Sequence, residues 1–135
     1  MSSATRVDDA AVVDASALVD FLLGNDQGRA VGPVLGRFVL HAPAHIDAEV
    51  LSALGRLHRA RTITARQVGS RLEALAEAPI ERHPLMSLLA GAWRRREHFR
   101  LVDALYIELS ETLGAVLLTT DGRLASAAGI AAITP

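Results

Sequence analysis

The chain has 135 residues, half of them apolar, with a net charge of −1 and a pI near 6.5. That length supports one compact domain with its own buried core, and the charge balance excludes a protein held to nucleic acid by overall charge alone. The absence of cysteine excludes disulfides and thiolate metal sites. All fourteen basic residues are arginine. Aromatic side chains, at 4%, are too few for a base-stacking platform. No apolar run approaches the ~18 residues a membrane helix needs, and the polar, acidic N-terminus lacks the apolar stretch of a signal peptide. A soluble, cytoplasmic protein is expected, as a single domain over 1–135 with residues 1–9 as a flexible leader.

Ala10–Val13 is an apolar run ending at Asp14 and reads as a buried strand. Ser16–Leu23 reads as a helix closed by Gly24-Asn25. A second helix is expected over Gln27–Arg37, although Gly32, Pro33 and Gly36 interrupt it. Phe38–Leu40 is a second short strand, with Pro43 as the breaker after it. Ile46, Val50, Leu54 and Leu57 follow helical spacing and predict an amphipathic helix over 45–61. Thr64-x-x-Gln67 has the form of a capping box and opens a helix with Val68, Leu72 and Leu75 as its stripe, ended by Pro79. Ile80–Arg82 is a short third strand, and Leu85–Arg96 is helical. Leu101, Leu105, Leu109 and Leu113 mark the next helix, stopped by Gly114. Val116–Thr119 is a fourth strand, Asp121–Ala127 a short helix, and Ile130–Thr134 a final strand. Strands alternating with helices predict an α/β fold, a parallel sheet with helices on both faces.

In such sheets ligands bind beyond the carboxyl ends of the strands. Asp14 ends the first strand and Asp121 follows the fourth. Glu49 and Asp103 lie near the starts of the helices at 45–61 and 101–113, so all four acids can converge at one edge. Clustered carboxylates repel one another unless a cation neutralises them. Four hard oxygen donors suit Mg²⁺ or Mn²⁺, an ion able to activate water against a phosphodiester. Zinc fits less well, with no cysteine and no HExxH motif. Each acid also has an ordinary structural role open to it. Asp14 can cap a helix, Asp103 can complement a helix dipole, Asp121 can start an Asp-Gly turn, and Glu49 can be a solvated helix residue. Spacing alone leaves that choice open.

Four segments, Val12–Val19, Asp47–Leu54, Val102–Leu109 and Leu118–Ala125, resemble in order the motifs of PIN-domain ribonucleases, specifically the VapC-type toxins of type II toxin–antitoxin (VapBC) systems. The resemblance spans about 11–134. It implies a three-layer α/β/α fold with a parallel five-stranded sheet of order 3-2-1-4-5. It also implies a Mg²⁺- or Mn²⁺-dependent endoribonuclease acting on tRNA or rRNA. Asp14, Glu49, Asp103 and Asp121 would be its catalytic and metal-binding residues, and Ser16 and Thr120 would be supporting hydroxyls. A VapB-type antitoxin is the implied partner, masking the acids with an arginine. A homodimer is implied as well, with the helices around 45–76 contributing.

Arg94–Arg96 with His98 and Arg100, and Arg56 with His58, Arg59 and Arg61, form basic clusters that read as solvated helix ends or as phosphate guides. His41, His45 and His83 are scattered singly, which favours loop or capping roles over metal binding. Trp93 and Tyr106 read as core. The spacing of Gly24, Gly28, Gly32 and Gly36 carries little outside a membrane. Two alternatives keep the fold but change the role: a non-toxin PIN nuclease in RNA processing, or a catalytically silent PIN-like binding module. A phosphoacceptor module and a haloacid-dehalogenase-like phosphatase are disfavoured by the absence of lysine. A dinucleotide binder is disfavoured because no GxGxxG follows the first strand.

Overall fold

The computed structural model describes residues 9–129 and 132–133. Its elements run β1 (Ala10–Val13), α1 (Ala15–Leu23), α2 (Asp26–Leu35), β2 (Val39–Pro43), α3 (Ile46–Arg59), α4 (Ala65–Glu77) and β3 (Ile80–His83). There follow α5 (Leu89–Arg94), α6 (Leu101–Leu113), β4 (Val116–Leu118), α7 (Gly122–Ala127) and β5 (Ala132–Ile133). The long strands lie in the order β3-β2-β1-β4, every pair parallel. The two-residue β5 pairs in parallel with β4. Of the final strand expected over Ile130–Thr134, only these two residues are described. The leader, apart from Asp9, also lies outside the described residues.

Ala11, Val12 and Val13 are consecutive and all fully buried. A strand buried on both of its faces needs cover on both sides of the sheet. Helix α6 supplies part of that cover by packing on β1, β2 and β4, while α1 packs with α2, α3 and α4. No helix of the described residues is long and apolar enough to cross a membrane.

Local chemistry fixes the element ends. The Thr64 hydroxyl accepts from the Gln67 N–H at 3.1 Å and the Gln67 amide oxygen accepts from the Thr64 N–H at 2.8 Å, completing the expected capping box. Asn25 caps α2, so that helix starts at Asp26 and ends at Leu35 rather than spanning 27–37. The 85–96 segment is not one helix. It opens as a 3-10 turn (Met86–Leu88), continues as the short α5, and unwinds through the three-residue-spaced bonds Arg95 N–H to Ala92 O and Arg96 N–H to Trp93 O.

The second strand also differs from expectation, extending through Pro43 instead of stopping at Leu40. The Ala44 N–H donates to His83 O on β3 at 2.8 Å. The preceding residue therefore faces the other way, towards β1, which has already ended at Val13. The proline, with no N–H to donate, sits at the last residue of β2, beyond the pairing with β1, which runs only to His41.

Arg82 ties β3 to the helices. Its guanidinium donates to Asp47 of α3 and to the carbonyls of Leu75, Ala78 and Ile80. Arg82→Ala leaves Ile80 O without this donor and removes the second donor from Leu75 O and Ala78 O, which keep their backbone partners, as well as the ion pair to Asp47. It should cost about 2–3 kcal/mol, read as a lower urea midpoint with an unchanged slope.

Candidate metal centre

The N–H of Asp14 donates to Leu118 O at 3.1 Å, which joins the end of β1 to the end of β4. From that junction the Asp14 side chain caps α1, accepting from the Ala17 N–H at 3.0 Å and the Ser16 hydroxyl at 2.8 Å. The Thr119 hydroxyl donates to its second oxygen. Asp14 is 4% exposed. Burial pushes its carboxyl up to about 6, the three hydrogen bonds opposing the rise and the charge of Asp121 adding to it. Capping and a place in the pocket are therefore compatible roles for one carboxylate.

The other acids arrive from separate elements. Asp121 caps α7, accepting from the N–H groups of Arg123 and Leu124 at 3.0 and 3.2 Å. Glu49, in the first turn of α3, accepts from the Tyr106 hydroxyl at 2.6 Å. Asp103, in the first turn of α6, is paired with the Arg100 guanidinium at 3.1 and 3.3 Å. All four line one open pocket of about 290 Å³, together with Ser16, Asp20, Arg56, Arg100 and Tyr106. A second cleft shares Arg100, Asp103 and Asp121 and runs on past His98 and Arg123. The acidic pocket thus has basic side chains on both sides.

The carboxylates share the pocket without closing on one another. Among the described residues, the three-residue group whose donor atoms all lie within 4.8 Å of each other is His41, Glu81 and His83, not the acids. Like charges hold themselves apart when only one arginine is paired with them. The donor set still fits a hard divalent cation. It is all oxygen, drawn from four elements, and contains a nearly inaccessible carboxyl that no cationic side chain neutralises.

The support around Asp14 differs from expectation at one position. Thr119, not Thr120, carries the hydroxyl that reaches it. Thr120 contributes its backbone N–H, which donates to the Ser16 hydroxyl at 3.2 Å. Ser16 meets the Thr119 hydroxyl at 3.2 Å, so the two hydroxyls hold the carboxylate together. Side chains alternate out of β4, and Thr119 follows Leu118 on the side where Asp14 stands.

Tyr106 is buried, as expected, but its hydroxyl has work in the pocket. Burial raises its pKa, and the hydrogen bond to Glu49 adds to the rise, so the phenol stays a donor. His45 packs its ring 4.8 Å from that of Tyr106 and donates from Nε2 to Val102 O at 3.0 Å, leaving Nδ1 buried without a partner. Nε2 also lies 3.6 Å from Glu49. Arg56 and Arg100 reach the pocket, whereas Arg95 is taken up by Glu108 and Glu111. Trp93 is not core; it is half exposed, with Arg96 over its ring.

A PIN-domain family model matches residues 11–130. Ribonuclease VapC3 of Mycobacterium tuberculosis is 57% identical over 127 residues, covering 93% of each chain. Ribonuclease VapC12 of the same organism is 37% identical over 124 residues, covering 87% of this chain and 92% of that one. Among solved structures, Mycobacterium tuberculosis VapC20, a sarcin–ricin-loop-cleaving toxin, has a TM-score of 0.71 at 18% identity, covering 93% of this chain and 99% of that one. VapBC2 from Rickettsia felis, solved with a promoter DNA fragment, has a TM-score of 0.65 at 11% identity, covering 92% and 97%. These two share the fold. The chain belongs to the PIN-domain family and, within it, to the VapC proteins.

Proposed function

We propose that this chain is the toxin of a type II toxin–antitoxin pair, an endoribonuclease that hydrolyses phosphodiester bonds in tRNA or rRNA. One observation carries the reading: Asp14, Glu49, Asp103 and Asp121 come from four separate elements yet line a single pocket flanked by arginines. Its VapC relatives named as ribonucleases support it. The four acids would hold Mg²⁺ or Mn²⁺, which when bound supplies Lewis-acid activation of water and neutralises charge developing on the phosphate. The protein's own part is positional. Thr119 and Ser16 fix the Asp14 carboxylate, Tyr106 fixes Glu49, and Arg100 holds Asp103. Arg56 and Arg123, at the two sides of the cleft, are placed to take neighbouring phosphates and set the register of the RNA. Without a cation the carboxylates would repel the RNA backbone, and holding one there would remove that repulsion.

The test is incubation of purified protein with tRNA and rRNA in Mg²⁺ or Mn²⁺, with fragment ends sequenced. Discrete cuts that vanish in a chelator are expected, and intact RNA under every condition would remove the nuclease reading in favour of a silent binding module. Tyr106→Phe should slow cleavage about tenfold while leaving RNA affinity unchanged, because Glu49 loses a charge-assisted bond worth about 1.5 kcal/mol. Single-turnover rates set against filter-binding constants separate the two.

An antitoxin of the VapB type would set an arginine against the acids, and the VapBC2 assembly supports such a partner. We propose self-association as well. Among the described residues, four of the eight exposed large apolar side chains, Leu89, Trp93, Leu101 and Val102, lie on α5 and α6 with Met86 just before them, while α3 contributes Leu51 and the other two, Phe21 and Val39, lie on α1 and β2. The α5–α6 face is therefore better placed for a second copy than the helices at 45–76.

A further inference from the structure

Strands β2 and β3 bring His41 together with Glu81 and His83, which lie far from it in sequence. His41 pairs with Glu81, and Pro43 with His83, in the parallel register. Side chains alternate along a strand, so His41, Glu81 and His83 share one face of the sheet. Arg82 occupies the other face, where it bonds to α3 and α4. The histidines are thus not single. Nδ1 of His41 lies 2.9 Å from Nε2 of His83, and the Glu81 carboxylate stands 3.8 Å from the first and 3.7 Å from the second. None of the three lines the carboxylate pocket.

We propose that His41, Glu81 and His83 form a second metal site, taking zinc or a similar borderline divalent cation through two imidazole nitrogens and one carboxylate oxygen. Zinc–nitrogen bonds of about 2.05 Å in a tetrahedron put donor atoms about 3.4 Å apart. The observed separations of 2.9, 3.7 and 3.8 Å fall on either side of that value, so each side chain needs to shift by only a few tenths of an ångström. The two rings are largely buried and held on paired strands, while Glu81 is mostly exposed and free to close on an ion. The hydrogen now shared between the rings would move to a remaining ring nitrogen, presenting both facing nitrogens as donors. Three protein ligands leave a fourth position for water. The chemistry also separates the two sites: nitrogen donors select zinc, and the all-oxygen pocket selects magnesium or manganese. A bound ion would pin edge strand β3 to β2.

The test uses untagged protein carrying Asp14→Asn and Asp103→Asn, so that the carboxylate pocket cannot report. Cobalt(II), a spectroscopic stand-in for zinc, is titrated in millimolar Mg²⁺. One equivalent should bind, with the intense visible bands of a tetrahedral nitrogen–oxygen site, and excess zinc should bleach them. His83→Gln and Glu81→Gln should each weaken binding at least tenfold. Glu81 is exposed, so its variant reports even where the histidine variant folds poorly. No saturable cobalt binding, or binding unmoved by Glu81→Gln, would overturn the proposal and leave a His–His hydrogen bond.

Discussion

Asp14→Asn should lower RNA cleavage by at least about a thousandfold, the several kcal/mol forfeited when a cation loses its best-fixed ligand. The same substitution should make the metal-free protein more stable. The folded carboxyl keeps its proton up to about pH 6, whereas an ordinary aspartate carboxyl loses it near 3.8. Between those limits the folded state binds more protons than the unfolded state, so stability falls as pH rises, and the loss is complete above about pH 6. That interval corresponds to about 3 kcal/mol, a ceiling on the gain. An asparagine loses none of it. Its side-chain oxygen still accepts from Ala17 and Ser16, and its amide can donate to the Thr119 hydroxyl. In a chelator at pH 8 the variant should therefore melt several degrees above the wild type, with the gap closing below pH 4. Added Mg²⁺ should narrow the gap at pH 8 by neutralising the wild-type carboxylates. A variant that melts lower throughout would show that burial does not strain Asp14.

Gly28→Ala should be the most damaging single methyl in the protein. A Cβ on Gly28 would sit 1.9 Å from Asp20 O and 2.6 Å from Asp20 C, both backbone atoms of α1. Backbone cannot rotate away as a side chain can, so α2 must lift off α1. Overpacking of this kind costs about 3 kcal/mol or more, which should lower the melting temperature by about 10 °C. The disturbance reaches the pocket because α1 begins at the Asp14 cap. Gly69→Ala is the control. It lies on exposed α4 with nothing within 4 Å of the added Cβ, and it should be neutral or stabilise by about 0.5–1 kcal/mol. Paired thermal melts check both.

The contrast between those glycines marks what a sequence can carry. Spacing showed small residues at 24, 28, 32 and 36, but only the crossing of α1 and α2 makes position 28 critical. The acids were legible because Asp14 ends a clear apolar run and Asp121 follows another, and carboxyl ends of parallel strands converge. Thr119 was missed for its neighbour because a one-residue choice rests on where β4 stops alternating. The His41–His83 pair was hidden by Pro43. Taken as a breaker, that proline shortened β2 and removed the register on which the pairing depends. Trp93 follows helical periodicity yet faces outward, since periodicity identifies a face without saying what covers it.

Whether the four carboxylates act together is measured most directly by the Mn²⁺-dependent cleavage rate of one RNA by the wild type, Asp14→Asn and Asp103→Asn, with all three shown to be folded. The wild type should cleave and be silenced by a chelator, and each variant should lose at least about a thousandfold. Undiminished cleavage by both variants would contradict a joint role for the carboxylates.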